Sequence, residues 1–289
     1  MTTFGTARVP GLLGTHVENL AQFSGFGLGN DVKPLEPSAF PNIERIELMR
    51  TLRQRVENPQ AIDQAGSSLC GPASLMYILA TKRSAMYFRF VVELYERGSA
   101  MLGSLRVAPG EDCRNYTPGT KLAAADWVAL ASLRDSENAI FDLDEVEDRF
   151  AGITMPNELV GWLNAVGFSN VLNETNLFLT KGEDDFRQAA QLASQGYKVC
   201  LLVDAAGIQT GASERGALRQ IFTVPNHWIV LDTIHQLAPE SVEFSIYTWG
   251  KPKKNDRTRN GMWLVPQDST PMTLEHWLKY FYGYVACKA

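Results

Sequence analysis

Cysteine and histidine are scarce in this sequence, and none of them is spaced for a metal site. Four cysteines and four histidines are scattered over 289 residues, without the Cys-x-x-Cys or His-x-x-x-His spacing that binds zinc. Cysteines without paired spacing are typical of a reducing compartment, in which a free thiol persists. We therefore expect no metal, no other cofactor and no disulfide framework.

Basic charge and long apolar segments are scarce as well. Lysine and arginine total 27 against 32 acidic residues, for a net charge of −5, whereas a nucleic-acid-binding surface needs a basic stripe. The one basic run, 251–259, is rich in turn-forming residues and is typical of a solvated hairpin loop. No apolar run approaches the roughly 20 residues that span a bilayer. We therefore expect that the protein neither binds nucleic acid nor inserts into a membrane.

The sequence also begins without the features of a cleavable signal peptide. Residues 1–5, Met-Thr-Thr-Phe-Gly, are not a basic region followed by an apolar core. We expect synthesis in the cytoplasm, and export by a machinery that does not read a cleavable signal if the protein acts elsewhere.

The composition, 45% hydrophobic and 20% charged residues, is typical of a globular protein with a sizeable core. Residues 1–40 are rich in glycine and proline and lack periodicity, which predicts an irregular N-terminal arm. Residues 41–289 are predicted to form a single α+β domain, with helices over about 41–196 and an antiparallel sheet over about 197–289. The predicted helices include 43–56, 70–80, 86–97, 121–133, 157–166 and 184–194, and the predicted strands are 198–204, 227–234, 242–249, 261–265 and 283–287.

The most informative segment surrounds Gln64 and Cys70. Cys70 precedes Gly-Pro, and proline is tolerated in the first turn of a helix, so Cys70 is expected to open a helix through the domain centre. A cysteine there gains thiolate character from unpaired amide groups and the helix dipole. Gln64 can direct its amide NH2 at a carbonyl oxygen held over Cys70, with the Cys70 N–H as second donor. The pattern predicts a nucleophile and its oxyanion hole, whereas the other three cysteines are expected to be buried hydrophobes or surface thiols.

A general base is available for this thiol. His227 opens a β-branched and aromatic run that is typical of a strand. A histidine at the start of a strand, far in sequence from a helix-opening cysteine, is the arrangement of Cys–His hydrolases. His16 lies in the glycine-rich arm, His235 towards the far end of the strand, and His276 in an amphipathic helix. We therefore predict His227 as the base.

Three short motifs resemble the papain-like cysteine peptidase superfamily, and within it the bacterial C39-like branch. They are Gln64…Cys70-Gly71-Pro72-Ala73-Ser74, Asn226-His227-Trp228-Ile229-Val230 and Tyr247-Thr248-Trp249-Gly250. The resemblance covers the order of elements over about residues 60–289. It implies a helical lobe carrying Cys70, an antiparallel sheet carrying His227, and a cleft between them with Trp228 and Trp249 in its wall. The long segment 204–224, rich in small residues, is predicted to overhang that cleft.

The sequence departs from this family at the third catalytic position. In papain a Trp-Gly pair follows the asparagine that orients the histidine by two residues. Trp249 and Gly250 match the pair, but Tyr247 stands at the asparagine position. The third group holds the tautomer of the imidazole and supports its positive charge. Tyr247, Thr248 and Asp232 stay open as candidates, as does a dyad without a third member; Asp232 is roughly 16 Å along the predicted strand from the base.

The resemblance implies a cysteine peptidase that cleaves a peptide bond in a protein substrate through a Cys70 thioester. It further implies a bacterial effector or antibacterial toxin, neutralised in the producing cell by a cognate immunity protein. Two alternatives stay open. The same thioester chemistry serves a thiol amidase, a glutamine deamidase or a transglutaminase, and a papain-like scaffold without the orienting asparagine is compatible with a catalytically silent binding module.

Overall fold

A computed structural model gives the fold and describes residues 37–65, 67–119, 122–138, 153–209, 223–267 and 270–289. Residues 38–289 form one compact unit. The predicted arm, 1–40, lies almost entirely outside the described residues, and so do residues 210–222 of the segment predicted to overhang the cleft.

Most helices of the described chain come before residue 197 in the sequence. They are α1 (Arg45–Glu57), α2 (Cys70–Lys82), α3 (Ser84–Arg97), α4 (Glu111–Asn115), α5 (Ala124–Asp126), α6 (Ser132–Asn138), α7 (Pro156–Ala165), α8 (Glu183–Ser194), α9 (Ala206–Gln209) and α10 (Leu274–Leu278). A 3₁₀ turn, Pro59–Ala61, follows α1, and a π-helical segment, Trp127–Ala131, joins α5 to α6. Within the described ranges, no helix is both long and apolar enough to cross a bilayer.

The strands form one large sheet and one small hairpin. They are β1 (Ala100–Leu102), β2 (Leu105–Val107), β3 (Ser169–Asn173), β4 (Lys198–Val203), β5 (His227–Ala238), β6 (Ser241–Tyr247), β7 (Thr258–Arg259), β8 (Met262–Val265) and β9 (Phe281–Lys288). The large sheet has seven strands in the order β3-β9-β4-β5-β6-β8-β7, and its neighbouring strands are antiparallel. The hairpin pairs β1 with β2.

The register of the sheet brings the start of β5 close to the ends of β4 and β6. The start of β5 lies beside the end of β4, where His227 is opposite Val203. On the other side of β5, Val230 is opposite Tyr247, the last residue of β6. Because β5 and β6 are antiparallel, the residues that follow β6 return beside the start of β5.

One face of the sheet packs against α2. Every residue of this helix from Cys70 to Ala80 is buried, as expected for a helix that is apolar on all sides. It contacts β5, α3, α7 and the π-helical segment. The predicted central helix is therefore present, and its first turn faces the sheet at the start of β5.

The opposite face of the sheet packs against α8 and α10. Phe186 and Ala189 of α8 and Trp277 of α10 share a core with alternate residues of β4, β5, β6 and β9. Side chains alternate along a strand, so Val199 and Leu201 belong to this core whereas Cys200 faces the α2 side.

The chain is thus an α+β protein, as predicted, with helices packed on both faces of an antiparallel sheet. The segment predicted to be helical also contains β1, β2 and β3, and β3 forms an edge of the large sheet. The residues of β3 are mostly exposed, so the strand lacks the apolar alternation that identifies a strand in a sequence.

Candidate active site

Cys70 is the first residue of α2 and is only 4% exposed. The preceding residue, Leu69, makes no side-chain hydrogen bond to the helix, and no described side chain caps this end. The first N–H groups of α2 are therefore free of intrahelical partners. The backbone N–H groups of Trp228 from β5, of Gly71 and of Cys70 itself favour the ionised form of the Cys70 thiol and so act to lower its pKa.

Thr154 packs against the start of α2 and was not identified from the sequence. A Cβ atom on Gly71 would lie 2.2 Å from Thr154 Oγ1, so only glycine fits after the cysteine. The carbonyl oxygen of Thr154 accepts a hydrogen bond from the indole Nε1 of Trp228 at 2.8 Å. Thr154 therefore holds the helix start against β5. Its segment lies just before α7 and carries no sequence pattern that would reveal the contact.

His227 is the first residue of β5 and is also 4% exposed. Its Nε2 and Thr248 Oγ1 form a hydrogen bond at 2.7 Å. Thr248 reaches the ring because it follows β6 directly and returns beside the start of β5. The bond occupies Nε2 and leaves Nδ1 as the ring nitrogen for proton transfer.

One tryptophan covers the imidazole, and a second tryptophan packs against the first. Trp249 stacks on His227 with ring centroids 4.9 Å apart and planes at 14°. Trp263 meets Trp249 edge-on at 5.6 Å, and its Nε1 donates to Gly250 O at 2.8 Å. This stack fixes the plane of the imidazole and limits the access of water to it.

The side chains of the other two candidates for the third position are bonded to groups other than His227. Tyr247 donates its hydroxyl to Ile62 O at 2.9 Å, and its ring stacks on Tyr77 at 4.0 Å. Asp232 is exposed and accepts a hydrogen bond from the hydroxyl of Thr233 at 3.0 Å. Of the three candidates, Thr248 is the one whose side chain is hydrogen-bonded to the histidine.

Gln64 lines one small pocket together with the nucleophile and the base, and this pocket leaves no room for a water molecule. It is 3% exposed, and its Oε1 is buried with no hydrogen-bond partner among the described residues. Its backbone carbonyl oxygen accepts from the N–H of Ser67 at 3.0 Å and from the hydroxyl of the same residue at 2.5 Å. The pocket is lined by Gln64, Cys70, Ala73, His227, Trp228, Tyr247, Thr248 and Trp249.

Burial dominates the electrostatics of the pair. Burial raises the pKa of the Cys70 thiol, although the N–H groups of Trp228 and Gly71 and the charge of Arg134 oppose it. Burial also lowers the pKa of His227 to about 3. At pH 7 the pair is therefore a neutral thiol and a neutral imidazole. The thiolate character expected from the helix N-terminus is outweighed by desolvation.

Alkylation of Cys70 by iodoacetamide is expected to be slow at pH 7 and to keep increasing above the ordinary thiol range near about pH 8.5. The reason is that the thiolate is the nucleophile and burial disfavours it. Peptide mass spectrometry after timed alkylation measures Cys70 separately from the other buried cysteines, Cys113, Cys200 and Cys287. The same peptide from the urea-unfolded chain is the control. A rate that is already constant below pH 7 would contradict the neutral pair.

No family model and no curated protein sequence matches the chain. In the described parts of the chain, no group of three or more His, Cys, Asp or Glu side chains is arranged to hold a metal ion.

Proposed function

We propose that this protein is a papain-like cysteine peptidase that cleaves a peptide bond in a protein substrate. The observation that carries the proposal is the convergence of Cys70, His227 and Gln64 in one pocket. The nucleophile opens a buried helix, and the base opens a strand against which that helix packs. The hydrogen bond between His227 and Thr248 and the stacked Trp249 support the same assignment, since a base needs a fixed ring orientation.

In the proposed first step, Cys70 Sγ attacks the substrate carbonyl carbon and His227 Nδ1 takes the thiol proton. This step uses the tautomer in which the Nε2–H of His227 donates to Thr248 Oγ1 and Nδ1 is unprotonated, an arrangement that the hydroxyl accommodates as an acceptor. Because thiol and imidazole are both neutral at rest, proton transfer accompanies the attack rather than preceding it. A hydroxyl supports the imidazolium less strongly than a carboxylate does.

Negative charge then develops on the carbonyl oxygen. The backbone N–H of Cys70 and the side-chain amide of Gln64 are the proposed donors to it. A half-turn of that amide about its terminal bond would place Nε2 where the unpaired Oε1 now lies. The imidazolium of His227 next protonates the leaving amine, and a thioester on Cys70 results. Water, deprotonated by the same ring nitrogen, hydrolyses the thioester and restores the thiol.

The wider role rests on the resemblance of the sequence motifs alone. We propose a bacterial effector or antibacterial toxin that is made in the cytoplasm and exported by a specialised secretion system. A cognate immunity protein would then protect the producing cell, and the substrate would belong to the target cell.

A second candidate is favoured by the small exposure of the site. Cys70, His227 and Gln64 are all buried, and a substrate must displace pocket walls to reach the sulfur. A catalytically silent binding module with the same scaffold is compatible with this closure. A thiol amidase, glutamine deamidase or transglutaminase would share the thioester step with a peptidase and differ in the acyl donor or acceptor.

Acetylation by p-nitrophenyl acetate tests the proposal without knowledge of the substrate. We expect a burst of nitrophenolate and a single acetyl group on Cys70, because the small ester displaces less of the pocket wall than a peptide does and uses the same thiol, base and oxyanion donors. The burst is measured by absorbance, and the modified residue is identified by peptide mass spectrometry.

The Cys70→Ala variant is expected to lose the burst, whereas a Cys113→Ala variant, which removes another buried thiol, is expected to keep it. Acetylation spread evenly over the four cysteines, or no faster than in the unfolded chain, would favour the silent module. If the burst is present, release of ammonia from glutamine-containing peptides would distinguish a deamidase from a peptidase.

A further inference from the structure

The peptide unit between Ile62 and Asp63 is held at both ends. Its carbonyl oxygen accepts a hydrogen bond from the Tyr247 hydroxyl at 2.9 Å, and its N–H donates to Asp126 Oδ2 at 3.2 Å. Tyr247 and Asp126 are both buried. Because a peptide unit is planar, fixing its C=O and its N–H fixes the direction in which the chain enters Gln64.

The acceptor on the N–H side is itself fixed. Arg55 Nε lies 3.0 Å from Asp126 Oδ1, and Arg55 Nη2 lies 2.6 Å from Asp126 Oδ2. Such a two-point contact between guanidinium and carboxylate sets the orientation of both groups. The carboxylate is therefore a rigid anchor for the Asp63 N–H.

The chain on the far side of Gln64 is fixed as well. Asp63 Oδ1 accepts a hydrogen bond from the N–H of Ala65 at 2.8 Å, which closes a tight turn around the glutamine. Asp63 also packs against Gly250, where a Cβ atom would lie 2.8 Å from the carboxylate carbon and where φ is +81°. The loop of Gln64 thus fits against the residue that follows Trp249.

Tyr247 connects this loop with the helix of the nucleophile. Its ring lies parallel to that of Tyr77, with centroids 4.0 Å apart and an interplanar angle of 1°. Tyr77 belongs to α2 and follows Cys70 by about two helical turns. The side chain of Tyr247 therefore contacts the helix of Cys70 and supports the loop of Gln64. Tyr247 also directly precedes Thr248 in the chain.

We propose that Tyr247 is a positioning residue for Gln64, with Asp126 as its counterpart across the Ile62–Asp63 peptide unit. The sequence places Tyr247 where the related enzymes orient the histidine, but its contacts assign it to the oxyanion donor. This inference rests on the proposed function, because it presupposes that Gln64 stabilises the oxyanion.

Two probes of the same thiol separate this role from a general structural one. Acetylation by p-nitrophenyl acetate proceeds through addition to a carbonyl and develops an oxyanion, whereas alkylation by iodoacetamide is a displacement at a saturated carbon and develops none. The Tyr247→Phe variant keeps the ring stack and removes only the hydroxyl. We expect its acetylation rate to fall by about tenfold, a fraction of the roughly 10²–10³-fold loss expected for Gln64→Ala. We expect its alkylation rate to be unchanged.

Tyr77→Phe is the matched control. It removes a hydroxyl from the same pair of stacked rings, and that hydroxyl interacts with Thr81 of its own helix rather than with the Gln64 loop. Its two rates are expected to equal those of the wild type. Adding Tyr247→Phe to Gln64→Ala is expected to cause no further loss, since the hydroxyl acts through the glutamine.

The outcomes distinguish the inference from the function on which it rests. Equal loss of both rates in Tyr247→Phe, or the same loss in Tyr77→Phe, would show a structural role and overturn the inference. Normal acetylation of Tyr247→Phe, together with slow acetylation of Gln64→Ala, would also overturn the inference but would leave the proposed function standing. Normal acetylation of Gln64→Ala would overturn the oxyanion assignment and the inference together. A burst that survives Cys70→Ala would overturn the proposed function itself.

Discussion

Replacing His227 with alanine is expected to lower the rate of Cys70 acetylation by p-nitrophenyl acetate by about 10²–10⁴-fold, the usual contribution of a positioned general base. The effect is large because the thiol cannot ionise by itself in this pocket. Burial raises its pKa, and the N–H groups around the sulfur do not reverse that shift. The imidazole, kept neutral by the same burial at any pH above about 3, is the base that can accept the proton during attack. Stopped-flow measurement of the nitrophenolate burst gives the rate.

Two variants of Thr248 are matched controls for this result. Thr248→Val keeps the shape of the side chain and removes the hydroxyl that is bonded to Nε2, so we expect a loss of about tenfold, the equivalent of one hydrogen bond. Thr248→Ser keeps a hydroxyl and is expected to retain most of the rate. A wild-type rate in His227→Ala would mean that Cys70 reacts without a base. A wild-type rate in Thr248→Val would mean that the base works in a dyad.

The central parts of the fold could be predicted because their signals are local. The helix of Cys70 is apolar on all sides, and β4 is a continuous apolar run, so both are recognised without knowledge of their neighbours. The edge strand β3 was missed for the opposite reason. Its sequence, Ser-Asn-Val-Leu-Asn, is mostly exposed, and it is a strand because it pairs with β9, more than a hundred residues later. Such a partner leaves no periodicity in the sequence.

The third position of the site could not be predicted because it depends on where a strand ends. The sequence predicts a strand through Trp249, but β6 ends at Tyr247. In a continued strand, Thr248 would point to the face opposite Tyr247. The strand ends instead at Tyr247, and the backbone bends at Trp249 and at Gly250, whose φ is positive. Thr248 is hydrogen-bonded to His227. The sequence motif therefore identified the segment 247–250, but only the structure shows that Thr248 is the residue bonded to His227.

The support of the Gln64 loop depends on a buried arginine that the helical pattern of the sequence does not reveal. Arg55 falls on the buried stripe of α1, in register with Leu48, Thr51 and Leu52, and an arginine at a core position implies a buried acidic partner. The partner, Asp126, is 71 residues away in sequence and sits in a short helix that periodicity alone does not align with α1. The apolar residues Ile46, Met49 and Leu52 suggest a different buried face, yet Ile46 is 77% exposed. Neither the need for a partner nor its identity could therefore be predicted.

Breaking this buried pair is the second change for which we expect a large effect. Asp126→Ala should lower the free energy of unfolding by roughly 3–5 kcal/mol, because it leaves the Arg55 guanidinium buried without a counter-charge. The side chains are 8% and 0% exposed, so water can replace little of the lost contact. Burial raises the pKa of Asp126 to about 6 while Arg55 opposes that shift, so the carboxylate is ionised at pH 7 and both charges depend on the pair. Urea unfolding followed by circular dichroism at pH 7 measures the difference.

A double variant, Arg55→Leu with Asp126→Leu, separates stability from positioning. Removing both charges is expected to restore much of the stability, since apolar side chains often replace a buried pair at little cost. Acetylation of Cys70 should nevertheless stay slow, because the Asp63 N–H has lost the acceptor that orients the peptide unit before Gln64. Alkylation by iodoacetamide should recover together with the stability. If acetylation recovered as well, the pair would serve the fold alone; if Asp126→Ala cost less than about 1 kcal/mol, as exposed pairs do, the guanidinium would not depend on this carboxylate.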